Sequence, residues 1–592
     1  MKVSDYIIKF INEKMGVKHV FILSGGGWMH LLNSLGENKK IEYICNLHEQ
    51  AAAIAAEAYG EYTNNIGVAI VTTGPGGTNA ITGVAAAWID STPMIVFSGQ
   101  VKRADMIGDK NIRQMGPQEV DIVPIVKPIT KYAESVLDPL KIRYHLEKAY
   151  YLATTGKKGP VWLDVPLDVQ GATVDEKKLK GFTPEKEDKK DKDFDNKIRK
   201  TIELINKAKR PVILAGNGIY LSGAKKEFLQ LAEKLDIPIL TTWKYIDLIE
   251  QDNRLFAGRP GSIASRSANF TLQNADLLIT IGARMDLPQT AFNHKNFGKN
   301  AKKIIVDIDE NEIKKMQMDI EIKFVSDAKD FISEVWKNKD KITYKNNDWI
   351  EKCNELKEKY PIVLPEFLEQ KEYINSYVLL DVLSQEMSKN DMLVPGSSGS
   401  CSEVSMQSFK VKKGQVVLNN QGLGSMGFGL PASIGACIAS GRKTTVCVNG
   451  DGGFMMNIQD LETVKRLNLP IKFFILNNDG YASIRNMQNS HFHSLYVGSG
   501  RTSGVTLPDM QKIAKAFDIP SKLIKTQQNL NEEVKAILKS EGPFLCEVII
   551  NPNQQTQPRV SSIKLEDGSM MSKPIEDMWP FLPKEEIEAN MV

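Results

Sequence analysis

The sequence is poor in features that would each announce a function class. Across 592 residues it carries six cysteines, at positions 45, 353, 401, 437, 447 and 546, and no two of them form a CxxC pair. Cys437, Cys447 and Cys546 lie in apolar runs and read as buried thiols of a reducing compartment. No stretch approaches the roughly 20 apolar residues that cross a bilayer. The opening residues, Met1-Lys2-Val3-Ser4-Asp5, meet charge too early for a signal core. Net charge is only +3, with no basic face carrying interleaved aromatics, so nucleic acid is a poor partner. No short-period repeat is present. These absences leave a cytoplasmic globular enzyme as the expectation, and 42% hydrophobic with 25% charged residues is ordinary for one.

The length implies several domains. A first block, 1–175, alternates helical patterns (Ser4–Lys14, Glu49–Thr63) with strand-like runs at His19–Leu23, Gly67–Val71, Met94–Ser98 and Val161–Val165. Residues 176–197 are dense in Lys, Asp and Glu and read as a solvated linker. A second block, 198–345, has strand runs at Pro211–Ala215, Pro238–Thr241, Leu277–Ile281 and Lys303–Ile308. A helical, charged stretch, Trp336–Gln370, leads to a third block, 371–570, with runs at Met392–Val394, Thr444–Val448, Ile471–Leu476 and Phe544–Ile550. Residues 571–592 are left as a C-terminal tail. The alternation predicts an α/β fold of three open parallel-sheet domains, which bind ligands beyond the carboxyl ends of their strands.

The chemistry concentrates in the third block. Gly450-Asp451-Gly452 follows one strand run, and Asn477-Asn478 follows the next after 24 intervening residues. A carboxylate and a carboxamide at neighbouring strand ends offer two hard oxygens to Mg²⁺, with the backbone carbonyl near Gly480 as a third. Two diphosphate oxygens and a water would complete an octahedron. Gly452 and Gly453 can present backbone N–H groups to phosphate. Asp, Asn and Gly also form ordinary turns; the pairing of the two halves, each after a strand, is what points to a metal–diphosphate site.

Glu49 stands in Leu47-His48-Glu49-Gln50-Ala51-Ala52, between the strand-like Tyr43–Cys45 and an Ala-rich helix. Two readings are open from the residues alone. It is an acid favoured by the helix dipole, or a desolvated carboxyl with a raised pKa that serves in proton transfer.

Several stretches together resemble the thiamine diphosphate (ThDP)-dependent 2-oxo acid decarboxylase and carboligase superfamily, over nearly the whole chain. They are Leu47–Ala52, Thr73-Gly74-Pro75-Gly76-Gly77-Thr78-Asn79, Gln118-Glu119 with Pro128-Ile129-Thr130-Lys131, Gly424-Ser425-Met426-Gly427-Phe428-Gly429-Leu430-Pro431, and the Gly-Asp-Gly…Asn-Asn pair. The strongest resemblance is to the acetolactate synthase catalytic subunit. It implies that Glu49 activates the cofactor through its pyrimidine ring, so that the ring's imine removes the thiazolium proton. It implies that Met426 supports the bend of the cofactor, that Gln118 stands near the reacting carbonyl, and that Gly25 faces the pyrimidine. Gly399, Ser400, Cys401 and Gly424 fall where the family wraps the diphosphate, and Asp451, Asn478 and Gly480 where it holds the metal. In the second block, Gly216, Gly218, Thr242, Gly282, Arg284 and Asp307 match positions that hold FAD in acetolactate synthases; strand-end turns in a domain without nucleotide are the plainer alternative.

Two positions depart from acetolactate synthase. Pro117 stands where those enzymes have the Phe of Phe-Gln-Glu, and Met487 where they have a Trp nine residues past the second Asn. Both changes remove aromatic bulk and imply a larger or more polar acceptor pocket, with Ser483 nearby. Arg485, Asn486, Gln488, His491 and His493 add hydrogen-bonding capacity. This set resembles carboligases that attach a two-carbon unit from pyruvate to a nucleotide-linked keto-sugar, as in yersiniose-type branched-sugar pathways. The expectation is a ThDP- and Mg²⁺-dependent carboligase acting on a 2-oxo acid and a carbonyl acceptor. It is a homodimer or homotetramer, with FAD and a regulatory subunit left open. True acetolactate synthase, a ThDP decarboxylase or oxidase, and a non-catalytic ThDP-binding protein are the rivals.

Overall fold

The computed structural model describes residues 1–185, 193–397, 399–564, 566–568 and 570–591. Each of the three blocks builds one six-stranded sheet whose strands pair in parallel. The first contains β1 (His19–Ile22), β2 (Glu42–Cys45), β3 (Gly67–Val71), β4 (Met94–Gln100), β5 (Tyr132–Ser135) and β6 (Pro160–Pro166), in the order β2-β1-β3-β4-β6-β5. The second contains β7 (Pro211–Ala215), β8 (Ile239–Thr241), β9 (Phe256–Gly258), β10 (Leu277–Ile281), β11 (Lys302–Asp307) and β12 (Ile322–Val325), in the order β12-β11-β10-β7-β8-β9. The third contains β13 (Met392–Pro395), β14 (Val416–Val417), β15 (Thr445–Gly450), β16 (Ile471–Asn477), β17 (Ser521–Ile524) and β18 (Phe544–Ile549), in the order β14-β13-β15-β16-β18-β17. The α/β reading therefore holds for all three blocks.

The orders matter more than the count. The first and third sheets share one topology, while the second has the order of dinucleotide-binding sheets. In each, a crevice opens where the chain reverses direction across the sheet. It lies between β1 and β3 in the first domain, β7 and β10 in the second, and β13 and β15 in the third.

Central strands such as β3, β4, β7 and β10 are buried along their whole length, as apolar runs covered by helices on both faces must be. Five helices frame the crevices: α1 (Glu49–Thr63), α2 (Pro75–Asp90), α3 (Gly399–Ser408), α4 (Gly429–Ala439) and α5 (Ala482–His491). The Ala-rich α1 packs tightly against α4: a methyl added at Gly435 would come within 2.1 Å of the Ala55 carbonyl oxygen. Small residues thus bring the first and third domains into contact within one chain.

Two boundaries move. The helix Phe194–Lys207 begins inside the stretch read as linker, and Glu176–Lys178 forms a helical turn whose Glu176 pairs with Lys9 at 2.9 Å; residues 186–192 of that linker lie outside the described residues. The tail is folded. Its helix Lys584–Asn590 docks on the second domain, where the Tyr360 hydroxyl donates to Glu586 at 2.6 Å and Asn274 donates to the Asn590 carbonyl at 2.7 Å. Among the described residues, no helix is long and apolar enough to cross a membrane.

Candidate active site

Pairing of β15 with β16 sets Gly450 opposite Leu476, so the two halves of the motif emerge side by side at the carboxyl edge of the sheet. Asp451 is 1% exposed and Asn478 8%. The Asp451 carboxylate accepts the N–H of Gly452 at 2.8 Å through Oδ1, and those of Asn478 and Gly480 at 3.2 and 3.1 Å through Oδ2. Burial pushes its pKa up to about 6 against the pull of these three donors, and among the described residues it has no salt-bridge partner. Among the described residues, the buried Asn478 side-chain oxygen has no hydrogen-bond partner. A buried carboxylate lacking a cation beside an orphaned carbonyl-type oxygen fits a divalent ion. Among the described residues no group of three or more His, Cys, Asp or Glu side chains is arranged to hold a metal ion. The protein thus offers too few ligands for a cage, the situation of a Mg²⁺ that takes the rest of its shell from phosphate and water.

The neighbouring crevice wall is built to suit. Gly452 lies under Tyr481, whose ring would stand 2.3 Å from an added methyl. Gly399, at φ +55°, opens α3 with Ser483 of α5 against it. Cys401 is fully engaged in packing: its Sγ approaches the Ser397 carbonyl at 3.1 Å and burial pushes the thiol up to about 12. Met426 is half-buried and Gly424 exposed.

In the first domain, Glu49 is the first residue of α1 and is buried. His48 caps the helix, its Nδ1 accepting the Gln50 N–H at 3.1 Å. Glu49 Oε2 accepts from Asn79 of α2 at 3.0 Å; among the described residues Oε1 has no hydrogen-bond partner. Gly25, after β1, lies against Thr72, after β3, so both stand at the crevice of that sheet.

The segment that follows Asp451 grips both sides of Glu49. Asp460 accepts from the Asn46 side chain at 2.9 Å and from the Leu47 N–H at 3.2 Å. Asn457 donates to Gln50 at 3.0 Å and to the Gly427 carbonyl, next to Met426, at 2.8 Å. Gln118 is exposed, with a left-handed backbone at φ +63° and its carbonyl set against Gly74. Its neighbour Glu119 is buried and organises the preceding loop by accepting the Met115 and Gly116 N–H groups at 2.8 and 3.3 Å. Sequence reading named Asn79 only as the end of a motif and passed over Asn457 and Asp460, because single amides and acids on helices carry no spacing signal.

In the second domain, a cavity of about 790 Å³ opens at the crevice between β7 and β10, lined among others by Gly218, Thr242, Gly282, Arg284 and Asp307. Gly216 is not on its wall; it is behind the loop, where a methyl would meet the Gly282 carbonyl oxygen at 2.2 Å. Arg284 donates to the Ile89 carbonyl at 2.7 Å and to Asp286 at 2.8 Å. Asp307 is pushed up to about 6 by burial.

Of the positions expected from the sequence to line an acceptor pocket, Pro117 and Ser483 are exposed and Met487 is 43% exposed. Three of the polar residues credited with capacity toward a ligand direct side-chain donors to the backbone. Arg485 serves four backbone carbonyls, Asn486 donates to the Gln554 carbonyl at 3.3 Å, and Gln488 to the Val497 carbonyl at 2.9 Å. His491 and His493 are exposed.

Three family profiles match the chain in order. They are the thiamine pyrophosphate (thiamine diphosphate) enzyme N-terminal TPP binding domain at residues 1–125, the central domain at 198–335, and the C-terminal TPP binding domain at 397–548. Among curated proteins, the probable acetolactate synthase large subunit of Methanococcus aeolicus is 34% identical, covering 93% of this chain and 92% of its own length. The acetolactate synthase large subunit of Lactococcus lactis is 31% identical, covering 94% of each. Acetolactate synthase 2, chloroplastic, of Zea mays is 30% identical, covering 95% of this chain and 87% of its own length. The chain therefore belongs to the thiamine pyrophosphate enzymes, as a ThDP- and Mg²⁺-dependent enzyme of the acetolactate synthase-like group.

Proposed function

We propose that the protein is a carboligase that decarboxylates a 2-oxo acid, pyruvate first, and passes the two-carbon unit to a carbonyl acceptor larger than a simple keto acid, such as a nucleotide-linked keto-sugar. The observation that carries this reading is the open acceptor side, where Pro117, Ser483 and Met487 are exposed and none is aromatic.

Bound ThDP supplies an acidic carbon and an electron sink for carbanion chemistry at a carbonyl. The chain's own residues do the rest. Asp451 and Asn478, with the carbonyl of Gly480, would hold Mg²⁺. Gly399, Ser400, Gly424, Gly452 and Gly453 would line the diphosphate, with Cys401 packed behind them. Glu49, with Oε1 unpartnered, would hold the proton-exchanging hydrogen bond to the pyrimidine, and Asn79 fixes its carboxylate by taking up Oε2. Gly25 would face the pyrimidine and Met426 would support the cofactor's bend. Gln118, held in a strained backbone over Glu119, would hydrogen-bond the reacting carbonyl.

The central cavity supports FAD, through its size and the dinucleotide order of its sheet. Arg284 would stand by the phosphates and Asp307 by a ribose, with Gly218, Thr242 and Gly282 on the wall and Gly216 behind it. The exposed apolar residues Met29, Leu47, Trp88, Met456 and Ile484 support a homodimer or larger assembly that covers them.

A second reading is true acetolactate synthase, favoured by relatives of that name along nearly the whole chain. The deciding experiment is product analysis from pyruvate alone against pyruvate with CDP- or dTDP-linked keto-sugars. A branched-sugar product supports the proposal. Acetolactate as the sole product in both reactions overturns it in favour of the second reading.

A further inference from the structure

Arg485 is in the middle of α5, seven residues beyond Asn478, and does none of the substrate-facing work its position suggests. Its guanidinium donates to four backbone carbonyls: Asn478 at 2.7 Å and Pro552 at 3.2 Å through one terminal nitrogen, Ser499 at 3.2 Å and Asp479 at 3.3 Å through the other. Those carbonyls come from three separate stretches of chain. One is the loop after β16, one is the segment that bridges to it at Gly480 and Gly500, and one is the stretch after β18. The fork geometry of a guanidinium can serve several such acceptors at once, and a charged donor strengthens each bond.

The consequence falls on Asn478. Asp451 holds its N–H at 3.2 Å and Arg485 holds its carbonyl at 2.7 Å, so this residue is fixed from both sides. Only its side-chain oxygen is left buried and unpartnered. The same first turns of α5 place Tyr481 over Gly452 and Ser483 against Gly399, and the Tyr481 N–H bonds to the Ser499 carbonyl at 2.9 Å. The start of this helix therefore touches the metal loop and two glycines of the diphosphate wall, Gly399 and Gly452, and Arg485 is the side chain that locks it there.

We propose that Arg485 is a positioning residue for the Mg²⁺ site: it sets the peptide of Asn478 so that the side-chain oxygen points at the ion, and it makes metal binding and the seating of α5 a single event. This rests on the assignment of Asp451 and Asn478 as metal ligands. A preformed ligand binds tighter than one that must be ordered at the moment of binding.

The test is a Mg²⁺ titration of the full-length protein supplied with ThDP, followed by calorimetry, alongside the unfolding temperature measured without metal or cofactor. Arg485→Met keeps the length of the stem and removes every donor; it should weaken Mg²⁺ binding at least tenfold. Arg485→Lys keeps the charge and some of the donors, and should fall between Met and the parent. A purely structural role would lower the metal-free unfolding temperature and leave the Mg²⁺ dissociation constant within twofold of the parent, and that result overturns the proposal. Should the Met variant not fold, Arg485→Lys decides: at least threefold weaker binding supports the proposal and unchanged binding overturns it. Asp451→Ala is run in parallel. If it leaves Mg²⁺ affinity intact, the metal assignment itself fails. If it abolishes binding while both Arg485 variants bind as the parent does, only the role of Arg485 fails.

Discussion

The Asp451 carboxylate accepts the backbone N–H of Asn478 at 3.2 Å, so one half of the metal motif physically organises the other. Removing that carboxylate takes away the proposed metal oxygen and strands three buried N–H groups, each costing about 1–3 kcal/mol. Asp451→Ala should therefore lose Mg²⁺-dependent ThDP retention by at least tenfold. The check is the ThDP content of the gel-filtered protein across a metal series, and full retention would remove the site assignment.

Glu49 separates binding from turnover. Its Oε2 is taken by Asn79 and its Oε1 is unpartnered, so Glu49→Gln preserves shape and most hydrogen bonding while deleting the exchangeable charge. CO₂ release from pyruvate should fall by about 10²–10⁴-fold, with ThDP content within twofold of the parent. Unchanged CO₂ release would sink the role proposed for this residue.

The edge of legibility in the sequence ran along the edges of the sheets. Gly67–Val71, Pro211–Ala215 and Leu277–Ile281 are strands with the expected bounds, because central strands are buried on both faces and read as unbroken apolar runs. The strands without a sequence signal, β5, β9, β12, β14 and β17, are all edge strands. β17 is mostly exposed, β12 alternates, and β14 has two residues, so each lacks the run that marks its neighbours. The site followed the same logic. Asp451, Asn478 and Glu49 sit at strand or helix ends, where spacing is informative. Arg485 was legible as a polar residue near the pocket, but nothing in the sequence shows that its donors turn inward to backbone carbonyls of three separate stretches.

Asp164 should give the fold a measurable pH dependence. It is 1% exposed and accepts from Ser98, Gln100 and Ser135, yet burial still pushes its pKa up to about 7. Its ordinary value in an unfolded chain is about 3.9. Between these values the folded state binds the extra proton, so the contribution is fully present below about pH 4 and is lost as pH rises through 7. Asp164→Asn cannot titrate. From pH 5 to 7.5 the parent should lose roughly 2–4 kcal/mol more stability than the variant. Denaturant unfolding at both pH values measures this, and parallel pH profiles would show that Asp164 is ionised in the fold throughout.

The proposed carboligase reading makes Met487 the most direct handle on acceptor choice. It is 43% exposed on α5, one turn beyond Ser483, whose hydroxyl lies against the Gly399 loop. A tryptophan there adds an indole to the open side of the crevice, and bulk in a substrate pocket discriminates by roughly 1–3 kcal/mol per missing or extra group. Met487→Trp should therefore shift product ratios at least tenfold toward small keto acids when pyruvate is offered with a mixture of 2-oxobutyrate and a nucleotide-linked keto-sugar. The pyruvate half-reaction should stay within a few-fold of the parent, because Glu49, Asp451 and Asn478 are untouched. If the ratio of products does not move, the acceptor does not pass Met487, and the open side of the site lies elsewhere, toward the loop that carries Pro117.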